Sequence, residues 1–222
     1  MDDFGSPKLQ RIGERALALS FDGVGRAPSL ELQARVWSLA ERAASHPMVV
    51  DALPGMGNLT LFLRDPDAEI ETLGAELAAW CSMPTTSALA GARTIEIPVR
   101  YGGEDGPDLA AVAAHCGMSE AEVIRLHASA EYVVFFLGFQ PGFAYLGGLD
   151  PRLATPRRAT PRTVVPAGSV GIAGLQTGIY PQRAPGGWQL IGRTETRLFD
   201  WRSDPPALLR AGDRVRFVAA RA

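Results

Sequence analysis

The sequence predicts an α+β protein in two parts, a small N-terminal α+β domain over residues 1–90 and a β-barrel domain over residues 91–222. Three observations point there. In the first part, runs with strand-type alternation interleave with runs of helical spacing. Ser82–Gly91 is then small, polar and Pro-containing, the composition of a boundary. Beyond it, short β-prone runs recur between Gly- and Pro-rich turns, as they do in a small barrel.

Along the chain, Arg15–Phe21 places Leu17, Leu19 and Phe21 on one face of a strand. Pro28-Ser29 opens a helix to about Ala44, with Leu32, Val36, Leu39 and Ala43 on one stripe and Ser29 as its N-cap. Met48–Leu53 is a short apolar strand, Pro54–Asn58 a turn, and Leu59–Arg64 a second alternating run. Asp65-Pro66-Asp67 starts another helix, where Ile70, Leu73, Leu77 and Trp80 share a face. In the second part Arg93–Val99 alternates and Tyr101–Pro107 is a Gly-rich loop. Asp108–Cys116 is a short helix that Gly117 can end in the left-handed conformation. Ser119–Glu122 has the Ser-x-x-Glu form of a capping box and opens a helix to about Ser129. Glu131–Leu137, Val164–Pro166, Val170–Ala173, Trp188–Ile191 and Arg214–Val218 supply strands.

Composition excludes several kinds of chemistry. A net charge of −2 over 222 residues gives no electrostatic footprint for nucleic acid. No apolar run approaches the roughly 20 residues of a membrane span. Met1-Asp2-Asp3-Phe4 lacks the basic-then-apolar pattern of a signal peptide, so a cytoplasmic location is expected. Cys81 and Cys116 lie in different regions and do not read as a disulfide framework. His115, Cys116 and His127 have no usual metal-ligand spacing, and no metal is expected. Lys8 is the sole lysine and is expected in a mobile N-terminal tail, which disfavours Schiff-base and P-loop chemistry.

The chemistry-bearing stretch is Gly138–Thr194. It holds 11 of the 24 glycines, 7 of the 17 prolines and six arginines, against one acid, Asp150. Glycine and proline together make stiff irregular loops. Phe139, Phe143, Tyr145, Tyr180 and Trp188 offer flat walls, and Arg157 and Arg193 offer planar forks for an anion. Gln140, Gln176 and Thr177 are donors and acceptors suited to an amide. These residues suggest a pocket for a small-molecule amide or an anionic intermediate of one. Arg157 and Arg158, adjacent in an extended segment, are expected to point to opposite sides. Gly and Pro also build ordinary barrel turns, and Gln176 and Thr177 could equally satisfy loop backbone. His127, at a helix-to-strand corner, is a candidate general acid or base, or else a packing residue.

Several segments resemble a known family. They are Leu137–Leu146, reading LGFQPGFAYL; Thr155-Pro156-Arg157; Pro166–Val170, PAGSV; Gln176–Pro181, QTGIYP; and Pro185–Trp188, PGGW. These are similar to the B component of bacterial 5-oxoprolinase, also called KipI or allophanate hydrolase subunit 1. The likeness is specific from about Tyr101 to Asp200 and looser before it. The turn Gly55–Asn58 departs from the aromatic-containing turn of the family. The resemblance implies that the second domain is a cyclophilin-like β-barrel domain. It implies two partners: a KipA-type C component (allophanate hydrolase subunit 2) and a LamB/YcsF-type A component. It further implies ATP as co-substrate, no tightly bound cofactor, and opening of the 5-oxoproline lactam to glutamate. Two other roles occur under the same motifs: inhibition of a sensor histidine kinase, and action on allophanate or urea.

Overall fold

The computed structural model describes residues 7–21, 29–65, 70–83, 85 and 91–220. The chain divides into two compact units, Met1–Ala90 and Gly91–Ala222.

The first unit contains β1 (Lys8–Ile12), β2 (Ala16–Ser20), α1 (Leu30–Ala44), β3 (Val49–Pro54), β4 (Asn58–Leu63) and α2 (Ile70–Cys81). Its strands form one antiparallel sheet in the order β1-β2-β4-β3. Alternation turns Leu17, Leu19, Leu59, Leu61 and Leu63 inward, where they meet Val36, Leu39, Leu73 and Leu77 from the helices. Each such buried side chain contributes about 1.5–3 kcal/mol. Ser29 caps α1 by accepting from the Leu32 amide at 3.4 Å. Lys8 belongs to no tail: it opens β1, which pairs with β2 from Lys8 opposite Ser20 to Ile12 opposite Ala16. All five β1 residues are exposed, so their side chains carry no pattern that marks a strand. The helix start expected at Pro66-Asp67 lies outside the described residues.

The second unit contains β5 (Thr94–Tyr101), α3 (Leu109–Cys116), α4 (Glu120–Ser129), β6 (Glu131–Leu137), β7 (Ala144–Gly147), a 3-10 turn at Pro151–Leu153, β8 (Arg162–Val165), β9 (Ser169–Ala173), β10 (Gln176–Ile179), β11 (Ala184–Gly186), β12 (Gln189–Arg193) and β13 (Arg214–Ala219). Seven strands close into a barrel in the order β10-β7-β6-β13-β5-β12-β9. The α+β class and the barrel are as the sequence predicts. The first and last strands of the unit, β5 and β13, pair in parallel over six residues, Thr94–Val99 with Arg214–Ala219. β8 and β11 form a separate two-stranded ribbon.

The barrel interior is filled by Ile97, Val99, Tyr132, Val134, Leu146, Val170, Ile172, Ile191, Val215 and Phe217. Helices α3 and α4 add Leu109, Val112, Val123 and Leu126 to the same core. Gly117, with φ of 65°, ends α3 by donating back to the carbonyls of Ala113 and Ala114. Ser119 caps α4 through the Glu122 amide at 3.2 Å. The Glu122 carboxylate is taken by Arg125, at 2.6 and 2.9 Å. A second, smaller apolar cluster of Phe143, Val165, Ala173, Tyr180, Ala184, Trp188 and Leu190 forms apart from the main core. It is the floor of the site.

Candidate functional site

A cavity of about 370 Å³ opens over that cluster, lined by Phe139, Phe143, Tyr145, Tyr180 and Trp188, with Arg157, Arg158, Pro161 and the Pro185–Gly187 backbone. Phe143 is the hub. Its ring centroid lies 5.3 Å from Tyr180 and 5.5 Å from Trp188, both edge-on, and 4.8 Å from Tyr145. Such edge-to-face contacts align the negative face of one ring with the positive edge of the next and fix the walls. Tyr145 is further braced by stacking on Phe136 at 4.3 Å. Gly178 makes the cluster possible: a Cβ there would sit 2.9 Å from the Ala144 carbonyl and 3.2 Å from both the Phe143 and Trp188 rings. Burial pushes the Tyr145 and Tyr180 phenols up, so both hydroxyls keep their protons; the Arg157 charge pulls in the opposite direction.

The arginines beside these walls are not equivalent. Asp108, 4% exposed at the start of α3, is the counter-ion of two of them. Its Oδ1 accepts from Arg158 Nη1 at 3.1 Å and Arg162 Nη2 at 2.7 Å; its Oδ2 accepts from Arg162 Nη1 at 2.9 Å and the Leu190 amide at 2.7 Å. The Asp108 amide in turn donates to the Leu190 carbonyl at 2.9 Å, which ties α3 to β12. The Arg158 amide donates to the Gly187 carbonyl at 2.8 Å and seats the 156–161 segment on the cavity. Arg157 is exposed and, among the described residues, makes no hydrogen bond or ion pair. Both arginines are among the cavity residues, but they differ in surroundings and pairing: Arg158 is part-buried on Asp108, and Arg157 is exposed.

Phe139 sits at the lip, 60% exposed, with φ of 64°. The Gln140 amide donates to the Gly138 carbonyl at 2.7 Å, so Phe139 is the middle residue of a γ-turn of the rare, strained hand. Strain of this kind costs about 1–3 kcal/mol and gathers at functional loops. The Gly138 amide to Phe143 carbonyl bond, at 3.1 Å, holds the turn closed.

Other residues singled out in the sequence lie elsewhere. His127 and Thr177 are both 0% exposed inside the barrel. The Thr177 hydroxyl donates to the Gly171 carbonyl at 2.9 Å, so it accepts from His127 Nε2 at 3.0 Å. That leaves His127 Nδ1 to accept from the Tyr101 hydroxyl at 2.8 Å. The chain Tyr101–His127–Thr177–Gly171 spends both ring nitrogens on neutral partners. His127 also stacks on Phe217 at 4.6 Å. Burial pushes its pKa down to about 3. Of the two readings of each residue, this geometry matches the packing and hydrogen-bonding one for His127 and the backbone-satisfying one for Thr177, and neither is among the residues that line the aromatic cavity. Gln176 opens β10 opposite Ala173 and is not among the cavity residues. The Gln140 side chain donates to the Gln182 carbonyl at 3.3 Å. Arg193 donates to the Ala167 carbonyl at 3.1 Å and belongs to a different cavity of about 440 Å³, with Arg100, Gly168, Thr194, Glu195 and Arg197. Among the described residues no cluster of His, Cys, Asp and Glu is placed to hold a metal, and no helix is long and apolar enough to cross a membrane.

Against known proteins, the sequence matches the carboxyltransferase domain, subdomain C and D, over residues 7–209. It is 55% identical over 207 residues to the 5-oxoprolinase B component of Escherichia coli O157:H7, covering 93% of each chain. It is 39% identical to the 5-oxoprolinase B component of Bacillus subtilis, covering 95% of this chain and 92% of that one. The chain belongs to the family of 5-oxoprolinase B components. Among solved structures, the family fold is seen in PH0987 from Pyrococcus horikoshii, at 43% identity and a TM-score of 0.57, covering 96% of this chain and 97% of that one. TTHA0988 aligns with a TM-score of 0.77 at 40% identity, and this chain spans 40% of its length. The urea carboxylase of Kluyveromyces lactis aligns at 22% identity with a TM-score of 0.76, which shows a shared fold over 22% of that chain.

Proposed function

We propose that this chain is the B component of an ATP-dependent 5-oxoprolinase, which opens the lactam of 5-oxoproline to glutamate. In this reading it works with a KipA-type C component and a LamB/YcsF-type A component, with ATP as co-substrate and no tightly bound cofactor. The observation that carries the reading is that relatives at 39–55% identity, aligned over most of both chains, are named as the B component of 5-oxoprolinase.

The cavity supports it in chemical terms. Phe143, Tyr145, Tyr180 and Trp188 are walls for a flat five-membered ring and keep bulk water from it. Arg157, unpaired among the described residues, is a cation for an anionic group. The described residues that line the cavity include no carboxylate, histidine, cysteine or lysine, and the two phenols, Tyr145 and Tyr180, are held protonated by burial, so none of them is a ready general base. The chain's own part is to bind and orient; the groups that activate and cleave the amide come from the partners. Co-expression of the three components, followed by assay of ATP-dependent glutamate release with each left out in turn, tests this. Glutamate formed only when this chain is present is the expected result. Undiminished release without it, or turnover of allophanate or urea in place of 5-oxoproline, would contradict the reading.

A further inference from the structure

We infer that the aromatic cavity of the second unit is a site for a small, flat-ringed monocarboxylate, with Arg157 as the carboxylate contact. This rests on the oxoprolinase reading for the identity of the ligand, but its geometry stands apart from that reading.

Arg158 and Arg162 both direct nitrogens at the one buried carboxylate of Asp108, and Arg162 does so with both terminal nitrogens. The Nε–H of Arg158 is closed off from solvent with no partner among the described residues. Of the two arginines that line the cavity, Arg157 is the one whose whole fork is unpaired among the described residues. Arg157 is exposed at the cavity mouth, and its charge acts against the burial that raises the Tyr145 and Tyr180 phenols.

One free planar fork matches one carboxylate, edge to edge through two parallel N–H···O bonds. A phosphoryl group is tetrahedral, carries up to two charges and has three oxygens to satisfy. One fork above apolar walls leaves most of that demand unmet, and removing a dianion from water onto aromatic rings is costly. A flat ring bearing a single carboxylate can stack against the walls while its charge meets Arg157 at the mouth. A cavity of about 370 Å³ is large enough for such a ring.

The test is isothermal titration of the full chain, and of the assembled complex without ATP, with three probes: 5-oxoproline, 2-pyrrolidinone and inorganic phosphate. The second has the lactam and lacks the carboxylate. The expected result is binding of 5-oxoproline at least about tenfold tighter than 2-pyrrolidinone, with no competition from phosphate. Arg157→Ala should weaken 5-oxoproline about 10–100-fold and leave 2-pyrrolidinone unchanged; Arg157→Lys, which keeps the charge but not the fork, should fall between. The inference is overturned if Arg157→Ala keeps the preference for the carboxylate, if phosphate displaces 5-oxoproline, or if neither preparation binds it. Arg157-dependent binding in a complex that shows no ATP-dependent turnover would sink the oxoprolinase reading and leave this one standing.

Discussion

Replacing Asp108 by Asn should cost the second unit a large share of its stability while leaving its shape. The amide keeps an acceptor for the Leu190 N–H at 2.7 Å, so the β12–α3 tie survives. What is lost is the charge that Arg158 and Arg162 share. Removing one partner of a buried ion pair costs about 3–5 kcal/mol, because the remaining charge is left uncompensated. Here the arginine side chains are 37% and 23% exposed, so water relieves part of that penalty, and about 2–3 kcal/mol is the better figure. For a chain of this size each kcal/mol moves the melting temperature by about 2–4 °C, giving a fall of about 5–10 °C. Differential scanning calorimetry of Asp108→Asn measures it. Arg157→Ala is the control, since it breaks no pair among the described residues and should melt within about 1–2 °C of the parent. An Asp108→Asn protein that melts within about 1 °C of the parent would refute the idea that this carboxylate holds the two arginines.

Further outcomes follow from the same geometry. Gly178→Ala drives a Cβ against the Ala144 carbonyl at 2.9 Å; because backbone cannot yield as a side chain can, urea unfolding should show a loss of about 1–3 kcal/mol, and a neutral result would mean the aromatic floor is loosely packed. At Phe139, both Ala and Gly remove the ring, but only Gly removes the strain of φ 64°; Phe139→Gly should therefore be the more stable of the two by about 1 kcal/mol, the reverse of their usual order in regular structure, and Ala ahead of Gly would contradict the γ-turn. His127 has a folded pKa near 3, below its ordinary 6.5, so the unfolded chain takes up the proton first. Its contribution is whole above about pH 6.5 and is lost as pH falls toward 3, by about 1.4 kcal/mol per pH unit. His127→Gln should flatten the stability profile between about pH 7 and pH 4.5, and an unchanged slope would place the acid sensitivity elsewhere.

Much of the architecture was written in local pattern. Ser29 and Ser119 cap helices because their hydroxyls meet free amides in the first turn, which is a short-range event. Glu131–Leu137 is a strand over its expected bounds because its β-branched and aromatic residues suit a pleated surface. β7 and β10 were hidden: each has four residues, includes glycine and is almost wholly buried, so no alternation marks it. β1 was hidden for the opposite reason, being exposed throughout. In the site, Phe143, Tyr145, Tyr180, Trp188 and Arg157 could be picked out because they crowd one Gly/Pro-rich stretch, and they meet at one cavity. Asp108 could not. It reads as an ordinary helix start, and its bond to Arg162 spans 54 residues. For Thr177 and His127 the sequence leaves two readings open, because residue type does not tell which face of a closed barrel a side chain takes; both turn inward and bond to each other.

The most direct measurement is the dependence of the reconstituted three-component enzyme on each substrate, with Arg157→Ala in place of the parent chain. If this cavity holds the carboxylate of 5-oxoproline, the KM for 5-oxoproline rises about tenfold or more while the KM for ATP stays where it was. A rise in the KM for ATP with that for 5-oxoproline unchanged would contradict the account.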